Sequence, residues 1–438
     1  MDATYRVAII GAGPAGLFAA RELAEQGVHV TVFNRDIKPG GLAEYGIYPD
    51  KHNMKEMLRK QFRIALQNPN LDYYGNVLIS NNGDFTFEEL RGFGFDAILV
   101  AAGAQGTKWL GLPGEELDGV YHAKDVVYGY NSLPPYSQKK FRIGKRCALI
   151  GAGNVMVDVA RHLIQTQKVD QVIAVTRRGP AEVNFTKDEM KHIISYLDLD
   201  AFEREMEHVL PVLQAVNQDP EIGRKKVLDS LAKADPKTAG AEGKFYFDFL
   251  ASPTAMLGEN GELTRLEVED NILVDKDGQI GAKGTGVRRT IDVDTVIFAI
   301  GDTIDESLGL QTSRNEFVQQ REPRFPIDGV SFETPVDGVF IGGWARKASN
   351  GLVGYARRDG VNAAKAVWQF LQTRQPNGFH ADEIDAKIKG LNKPIINKED
   401  VKRLEAVEAE EAKRRGLDFF KCSTNEEMLQ IMGLVETA

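Results

Sequence analysis

The N-terminal part of the chain alternates apolar runs with a turn and predicts a strand, a helix and a second strand. Tyr5–Ile10 is an apolar run, residues 17–24 repeat apolar side chains at helical spacing, and Val28–Phe33 is a second apolar run. Apolar residues at helical spacing mark one face of a helix, whereas short continuous runs mark buried strands. This pattern predicts a β–α–β unit at the start of the chain.

The same pattern recurs in the middle of the chain. Cys147–Ile150 is apolar, Val155, Val159 and Leu163 lie on one face of a predicted helix, and Val172–Val175 is the next apolar run. A second β–α–β unit is therefore predicted. Strands that alternate with helices indicate an α/β fold with parallel sheets, and the two units predict two Rossmann-like dinucleotide-binding domains.

Other stretches complete the predicted fold. Residues beyond Gly378 predict a charged helical tail, and residues 201–243 are expected to be helical in part. The remaining helices and strands are predicted at Lys55–Gln67, Asp96–Ala102, Phe185–Leu197, Phe245–Leu250, Leu263–Glu269, Ile272–Val274, Thr295–Ile300 and Val339–Gly343. Thr86 is predicted to open a helix with a capping box, and Thr424 to cap the last apolar turn.

Length and composition narrow the class of protein. The chain has 438 residues, of which 42% are hydrophobic and 27% charged, which fits a soluble protein of two or three domains. No apolar run is long enough for a membrane helix, and the first strand starts too early for a signal or transit peptide. The net charge of −9 disfavours general binding to nucleic acid or to an anionic membrane.

The only cysteines are Cys147 and Cys422. Two distant cysteines exclude a CxxC redox pair, a cysteine-ligated iron–sulfur cluster and a disulfide scaffold. We expect reduced thiols in a cytoplasmic protein. The sequence also offers no catalytic triad and no metal-ligand cluster, so no metal site is predicted.

The first turn carries a complete GxGxxG motif at Gly11, Gly13 and Gly16, with Pro14 and Ala15 inside it. In strand–turn–helix context these glycines let the backbone approach a pyrophosphate at the helix N-terminus. The second turn has Gly151 and Gly153, but no third glycine, and alone is a weaker signal. The order of two fingerprints suggests FAD first and a nicotinamide cofactor second.

Two residues at strand ends refine this interpretation. Arg177 and Arg178 follow the second strand of the second unit, where arginine favours the 2′-phosphate of NADPH over the free hydroxyl of NADH. Two solvated surface arginines are the alternative. In the first unit an acid is expected, but the strand ends in Asn34, and Asp36 lies too far along to be a sure substitute. We therefore expect weakened adenosine binding.

Several motifs together resemble one family. The chain is similar to adrenodoxin reductase and bacterial NADPH–ferredoxin reductases almost from end to end, and least so over residues 196–244. The motifs that carry the resemblance are GAGPAGLFAARELAEQG, GGLAEYGIYPD, GLPGEE, GAGNVMVDVAR, TRRGPAEVNFTKDE, FIGGWARKASNG and NEEMLQIMG. The resemblance implies an NADPH domain (113–330) inserted into an FAD domain (1–112 and 331–438) that ends in a helical tail.

The resemblance also implies site residues. For FAD these are Gly11, Gly13, Pro14, Ala15, Gly16, Asn34, Leu42, Val77, Trp344, Gly351, Leu352 and Val353; for NADPH they are Gly151, Gly153, Asn154, Val155, Arg177, Arg178, Glu189 and Gly351. In the family, a histidine pairs with an acid near the flavin. Lys51 stands at the position of that histidine in this chain, and Asp158 stands at the position of the acid. These two residues are candidates for electron or proton passage. The loop Ala348-Ser349-Asn350 also departs from the family's Gly-Pro-Thr.

The implied activity is transfer of electrons from NADPH through FAD to a one-electron carrier, with ferredoxin expected and flavodoxin or rubredoxin open. The candidate docking residues are Lys191, Arg224, Lys225 and Lys226, with a solvated helix face as the alternative. Three other functions stay open: an electron-input subunit like the glutamate synthase small subunit, a flavin-binding structural protein, and a single-component monooxygenase. The sequence does not indicate the oligomeric state.

Overall fold

The protein is described from a computed structural model, which describes residues 4–238, 240–241, 243–348 and 353–436. The strands are β1 (Arg6–Ile10), β2 (His29–Asn34), β3 (Leu71–Gly75), β4 (Ala97–Val100), β5 (Gly106–Thr107), β6 (Val120–His122), β7 (Arg146–Ile150), β8 (Gln171–Thr176), β9 (Phe245–Phe249), β10 (Ala251–Glu259), β11 (Glu262–Lys276), β12 (Gln279–Asp292), β13 (Thr295–Phe298), β14 (Asp302–Thr303), β15 (Thr312–Ser313), β16 (Glu316–Phe317) and β17 (Val339–Ile341). The α-helices are α1 (Pro14–Glu25), α2 (Leu42–Tyr45), α3 (His52–Leu66), α4 (Phe87–Gly92), α5 (Ala123–Tyr130), α6 (Asn154–Gln165), α7 (Lys187–Met190), α8 (Leu199–Ala215), α9 (Pro220–Leu228), α10 (Val353–Leu371), α11 (Ala381–Lys389), α12 (Lys398–Arg414) and α13 (Asn425–Met432).

The first of two compact units comprises Met1–Thr107, Tyr128–Gln138 and Gly301–Ala438. Its main sheet has the order β17-β4-β1-β2-β3 with all neighbours parallel. Alternate residues of β1 enter two different cores, Val7 and Ile9 one, Ala8 and Ile10 the other. Because side chains alternate across a strand, both faces of this sheet are buried, as in a doubly wound α/β fold.

The second unit comprises Lys108–Val127 and Lys139–Ile300. Its parallel sheet has the order β6-β13-β7-β8-β9, and an antiparallel sheet has the order β10-β11-β12. Ile150, Val175 and Phe298 of the parallel sheet share a core with Leu266 and Val268 of β11. The antiparallel sheet therefore covers one face of the parallel sheet.

These units confirm the predicted fold class of two Rossmann-like domains, the second inserted in the sequence of the first. Their limits differ from the ranges 1–112, 113–330 and 331–438. Residues from Gly301 belong to the first unit because β14 pairs with β5. Tyr128 and Leu133 also belong there because they pack against Tyr45. Such pairings join segments far apart in the chain, so apolar patterns do not reveal them.

Most predicted elements occur within a few residues of the expected limits, and two differ in kind. The helix expected over Phe185–Leu197 is only α7 followed by a 3₁₀ turn at Ile194–Tyr196. Ile193 and Ile194 are buried there without a continuous helix. The apolar residues of this stretch therefore predicted a helix that does not form, because short turns bury them instead. The two strands expected at Leu263–Glu269 and Ile272–Val274 are one strand, β11, with an irregularity between Glu269 and Asn271.

Candidate cofactor sites

The three glycines of the first fingerprint serve two different purposes. Gly11 has a φ of +105°, and a Cβ there would lie 2.6 Å from the carbonyl oxygen of Ala101. A Cβ on Gly16 would lie 1.9 Å from the carbonyl oxygen of Gly11, whereas one on Gly13 would meet no atom within 4 Å. Gly11 and Gly16 thus allow close packing, and Gly13 leaves open space at the N-terminus of α1, as a bound pyrophosphate requires.

Predicted FAD residues meet at one edge of the first sheet. Gly11 follows β1, Asn34 ends β2, Val77 comes after β3, and Trp344 comes after β17. Since these strands are parallel, their carboxyl ends lie at the same edge. The structure therefore brings together residues that the sequence separates widely.

Asn34 is buried and its amide is already engaged. Its Oδ1 accepts a hydrogen bond from Ala12 N at 3.0 Å, and its Nδ2 donates to Asp36 O at 2.8 Å and to Tyr73 Oη at 3.2 Å. Asn34 thus fixes the end of β2 to the glycine turn and to the loop that follows. The expected contact with the cofactor ribose stays a prediction.

A cavity of about 280 Å³ opens beside this strand end. Its lining includes Arg35, Asp36, Asn76, Tyr136 and Met428. The Nε of Arg35 donates to the Asp36 carboxylate at 2.9 Å, and that carboxylate raises the pKa of Arg35. In the sequence, Asp36 is only a doubtful substitute for an acid at position 34. The cavity places its carboxylate beside the expected adenosine end.

The loop over residues 38–50, which contains the motif GGLAEYGIYPD, is held by a largely buried charged cluster. We call it the Glu44 cluster, and its members are Lys38, Glu44, Arg59, Glu408 and Lys421. The Glu44 carboxylate lies 2.7 Å from Arg59 Nη2, 3.0 Å from Lys421 Nζ and 3.5 Å from Lys38 Nζ. Lys38 also pairs with Glu408. Burial opposes ionisation of Glu44, but Lys38, Lys421 and Arg59 outweigh it and hold its pKa well below the usual range.

This cluster anchors α2, whose first residue is the predicted FAD residue Leu42. Gly40 and Gly41 precede the helix with φ values of +115° and +50°. The ammonium of Lys421 also donates to Glu44 O at 2.6 Å. The cluster could not be predicted from the sequence because its members come from distant segments. The buried lysines and glutamates carry no local sequence signal.

The segment after β17 is also tightly fixed. Gly343 N donates to Asp359 Oδ2 at 2.6 Å, and Arg346 pairs with the same carboxylate at 2.5 Å. A Cβ on Gly343 would lie 2.5 Å from Ala15 Cβ. This places the backbone next to Trp344 against the first fingerprint. Gly351 and Leu352, with Ser349 and Asn350 of the departing loop, lie outside the described residues, and Val353 begins α10.

The second fingerprint repeats this geometry in the second unit. A Cβ on Gly151, whose φ is +130°, would lie 2.4 Å from Ala299 O, and one on Gly153 would meet no atom within 4 Å. Asn154 begins α6, and its Oδ1 accepts from Thr186 N at 2.8 Å. Val155 is 45% exposed at this helix end. The open space again fits a pyrophosphate.

The arginine pair lies at the same edge of the second sheet as these glycines. Arg177 and Arg178 follow β8, which is parallel to β7, and Arg177 is exposed while Arg178 is half-buried. Glu189 lies in α7, whose cap Thr186 is the residue that bonds Asn154. Guanidinium groups at this edge can form paired hydrogen bonds with a phosphate.

Comparisons with known proteins identify similar sequences and structures. The pyridine nucleotide-disulphide oxidoreductase family matches residues 5–196. NADPH-ferredoxin reductase FprA of Mycobacterium leprae is 27% identical and covers 87% of this chain and 88% of its own. NADPH:adrenodoxin oxidoreductase of Salvelinus fontinalis is 27% identical over 97% of this chain and 91% of its own.

The chain is thus similar along nearly its whole length to adrenodoxin reductases and bacterial NADPH–ferredoxin reductases. A solved structure of an FprA variant from Mycobacterium tuberculosis is 25% identical, covers 98% of this chain and 99% of its own, and has a TM-score of 0.81. The resemblance stated from the motifs is thereby confirmed, and the protein is an oxidoreductase.

The candidate docking residues are partly neutralised by neighbouring groups. Arg224 pairs with Glu203 and, at 3.0 Å, with Glu221. Lys226 donates to the carbonyl oxygen of Ala181. These contacts fit the alternative of a charge-balanced helix face for Arg224. Docking through Lys191 and Lys225 stays a prediction.

Three further predictions concern a charge pair, metal ions and membranes. Lys51 belongs to the first unit and Asp158 to the second, so their pairing stays a prediction. Within the described residues, no group of three histidine, cysteine, aspartate or glutamate side chains could hold a metal ion. No helix in the described part of the chain has the length and apolar character needed to cross a membrane.

Proposed function

We propose that this enzyme is an NADPH-dependent flavoprotein reductase that passes electrons from NADPH through FAD to a small carrier protein, with ferredoxin as the expected carrier. The main observation behind this proposal is that a glycine turn with free space beside it lies at the edge of each parallel sheet. Arg177 and Arg178 lie at the same edge as the second turn. Two sites of this kind suit two dinucleotides, one of them with a 2′-phosphate.

The first site is assigned to FAD and the second to NADPH. Gly13 and the N-terminus of α1 would receive the FAD pyrophosphate, and the Glu44 cluster would hold α2 against the flavin. Gly153 with Asn154 would receive the NADPH pyrophosphate, and the arginine pair would bind the 2′-phosphate. When bound, FAD supplies the chemistry by accepting a hydride from NADPH and releasing electrons singly.

The protein's own contribution is positioning and electrostatics. The fixed backbone at Gly343 and the buried Asp359–Arg346 pair orient the segment that carries Trp344. Cys147 and Cys422 are both buried and unpaired, and the reaction requires neither. We place the enzyme in the cytoplasm, where thiols stay reduced.

An anaerobic absorbance titration of the purified holoenzyme tests the donor assignment. We expect NADPH to bleach the flavin band at far lower concentration than NADH. The double variant Arg177→Ala/Arg178→Ala should lose this preference, because the 2′-phosphate loses its charge-assisted hydrogen bonds. The matched control is Arg414→Ala/Arg415→Ala, an exposed arginine pair on the tail. Equal bleaching by NADPH and NADH in the wild type would refute the assignment.

The acceptor is tested separately. Reduction of ferredoxin, flavodoxin and rubredoxin by the NADPH-loaded enzyme is compared at several salt concentrations, with a small dye as reference. Fast, salt-sensitive reduction of ferredoxin supports the proposed carrier, because docking of an acidic carrier depends on charge. Dye reduction without reduction of any carrier protein would reject it.

A further inference from the structure

The irregularity in β11 turns one polar side chain toward the arginine pair. The register with β12 shifts between Glu269 and Asn271. Asn271 is 5% exposed, and its Nδ2 donates to Arg177 O at 2.9 Å and to Ser252 Oγ at 2.8 Å. Both amide hydrogens of Asn271 are therefore used, and one of them holds the carbonyl of the first arginine.

The carbonyl of the second arginine is held independently. Arg178 O accepts from Thr176 Oγ1 at 3.0 Å and from Leu250 N at 3.3 Å. Leu250 has a φ of +55°, which is uncommon for a residue other than glycine. Its own carbonyl accepts from Asn271 N at 2.7 Å. Asn271 is thus connected to both arginines, directly to one and through Leu250 to the other.

The two residues just before Asn271, Glu269 and Asp270, fix the β11 irregularity to the neighbouring strand β12. Glu269 Oε1 accepts from Gly286 N at 2.7 Å, and Asp270 pairs with Arg289 at 2.9 Å. Arg289 also pairs with Asp248 of β9 at 2.6 Å. Bulges anchored in this way commonly re-aim a side chain beside a functional site.

We propose that Asn271 and Thr176 are positioning residues for recognition of the NADPH 2′-phosphate, acting by fixing the backbone of Arg177 and Arg178. The inference rests on the proposed function. Neither residue needs to contact the nucleotide. Long arginine side chains can reach many positions, so the affinity of the pair for phosphate depends on how firmly its backbone is held.

The specific consequence concerns one phosphate and not the whole nucleotide. NADP⁺ and NAD⁺ differ only in the 2′-phosphate, so a looser arginine backbone should weaken NADP⁺ binding and leave NAD⁺ binding unchanged. A residue with a merely structural role would affect both nucleotides equally. The ratio of the two dissociation constants therefore separates positioning from general stabilisation.

The test is calorimetric titration of the holoenzyme with NADP⁺ and with NAD⁺. Asn271→Ala should weaken NADP⁺ binding about five- to tenfold, the cost typical of one lost hydrogen bond to a buried group. Thr176→Val keeps the side-chain shape and removes only the hydroxyl, and should act in the same direction. The matched control is Thr264→Val, which removes a hydroxyl bonded to Leu257 O elsewhere on β11.

The outcomes separate this inference from the proposed function. If the wild type prefers NADP⁺ and the ratio is unchanged in both variants, the positioning role is overturned and the NADPH assignment stands. If the wild type has no preference, both are overturned. If Asn271→Ala does not fold, the ratio of dissociation constants for Thr176→Val tests the positioning role. The steady-state kinetics of Thr176→Val should then show a raised KM for NADPH with kcat nearly unchanged.

Discussion

Arg59 donates two hydrogen bonds to the carboxylate of Glu44, from Nε at 2.8 Å and from Nη2 at 2.7 Å. Glu44 is only 2% exposed, and it also meets Lys38 and Lys421. Breaking one partner of a buried ion pair leaves uncompensated charge, which is among the most costly of single changes.

Glu44→Gln should lower the free energy of unfolding by about 3 kcal/mol, because Arg59 and the buried Lys421 lose their carboxylate partner and the buried Lys38 loses one of its two. Urea denaturation of the apoprotein measures this value. Glu56→Gln on α3 makes the same chemical change at an exposed carboxylate that pairs with Arg63, and should change stability by less than about 0.5 kcal/mol. Equal effects of the two substitutions would contradict a special role for Glu44.

The acid stability of the protein should depend on the same carboxylate. The pKa of Glu44 is lower in the folded chain than its ordinary 4.5. The folded state therefore binds fewer protons, and the stabilisation is present above about pH 4.5 and lost as the pH falls below it. Wild-type unfolding free energy should fall below this pH more steeply than that of Glu44→Gln. Parallel pH profiles of the two proteins would count against this.

A second pH effect should come from Lys55. Burial, and then the charge of Lys421, lower its pKa from 10.5 to about 7, and its Nζ donates to Asn131 Oδ1 at 2.8 Å. A lysine with a lowered folded pKa loses its proton first in the folded state, so stability rises with pH between about 7 and 10.5.

In wild type, the Lys55 effect should raise the free energy of unfolding by about 1 kcal/mol between pH 7 and 8. Lys55→Met should remove this increase. Above that range a rise remains, because burial lowers the pKa of Lys421 to about 8. Urea denaturation at half-unit pH steps gives the profile. Lys60→Met on the exposed side of α3 should leave the profile unchanged. A profile that is flat between pH 7 and 8 in the wild type would rule the effect out.

Gly13→Ala should separate folding from cofactor binding. The new Cβ would meet no protein atom within 4 Å, so the apoprotein should keep its thermal unfolding midpoint. It would occupy the space assigned to the FAD pyrophosphate, so the FAD dissociation constant should rise at least about tenfold. Flavin fluorescence quenching measures the affinity. Gly92→Ala, also in open space but on α4, should change neither quantity. Unchanged FAD affinity of Gly13→Ala would refute the first site.

Asn34→Asp should destabilise the protein despite its near-identical shape. The aspartate cannot donate to Asp36 O or Tyr73 Oη, as the asparagine Nδ2 does at 2.8 and 3.2 Å. We expect a loss of about 1–3 kcal/mol in the free energy of unfolding. The control is Asn70→Asp, at a half-buried asparagine just before β3 whose Nδ2 makes only a long contact of 3.5 Å with Ala24 O. A variant as stable as the wild type would show that these donors contribute little.

The sequence alone determined the two fingerprints. Gly11, Gly13 and Gly16 lie between an apolar strand and an amphipathic helix, and their spacing follows from local backbone geometry. The same holds for Arg177 and Arg178 at a strand end, and for the capping threonines Thr86 and Thr424, whose bonds to Glu89 and Glu427 are present. These features depend on residues close in the chain, so a pattern reveals them.

Only the tertiary structure decided what holds these sites in place. Lys421 donates to Glu44 across 377 positions of the chain, and Asn271 donates to Arg177 across 94. The hydrogen bond between Asn34 and Ala12 also joins separate segments of the chain, and so do the contacts that set the unit limits at Thr107 and Ile300. A buried charge or amide has no preferred sequence neighbours, because its partner is chosen by the packing of distant strands and helices. The sequence therefore named the groups that would meet the cofactors, and the fold supplied the contacts that position them.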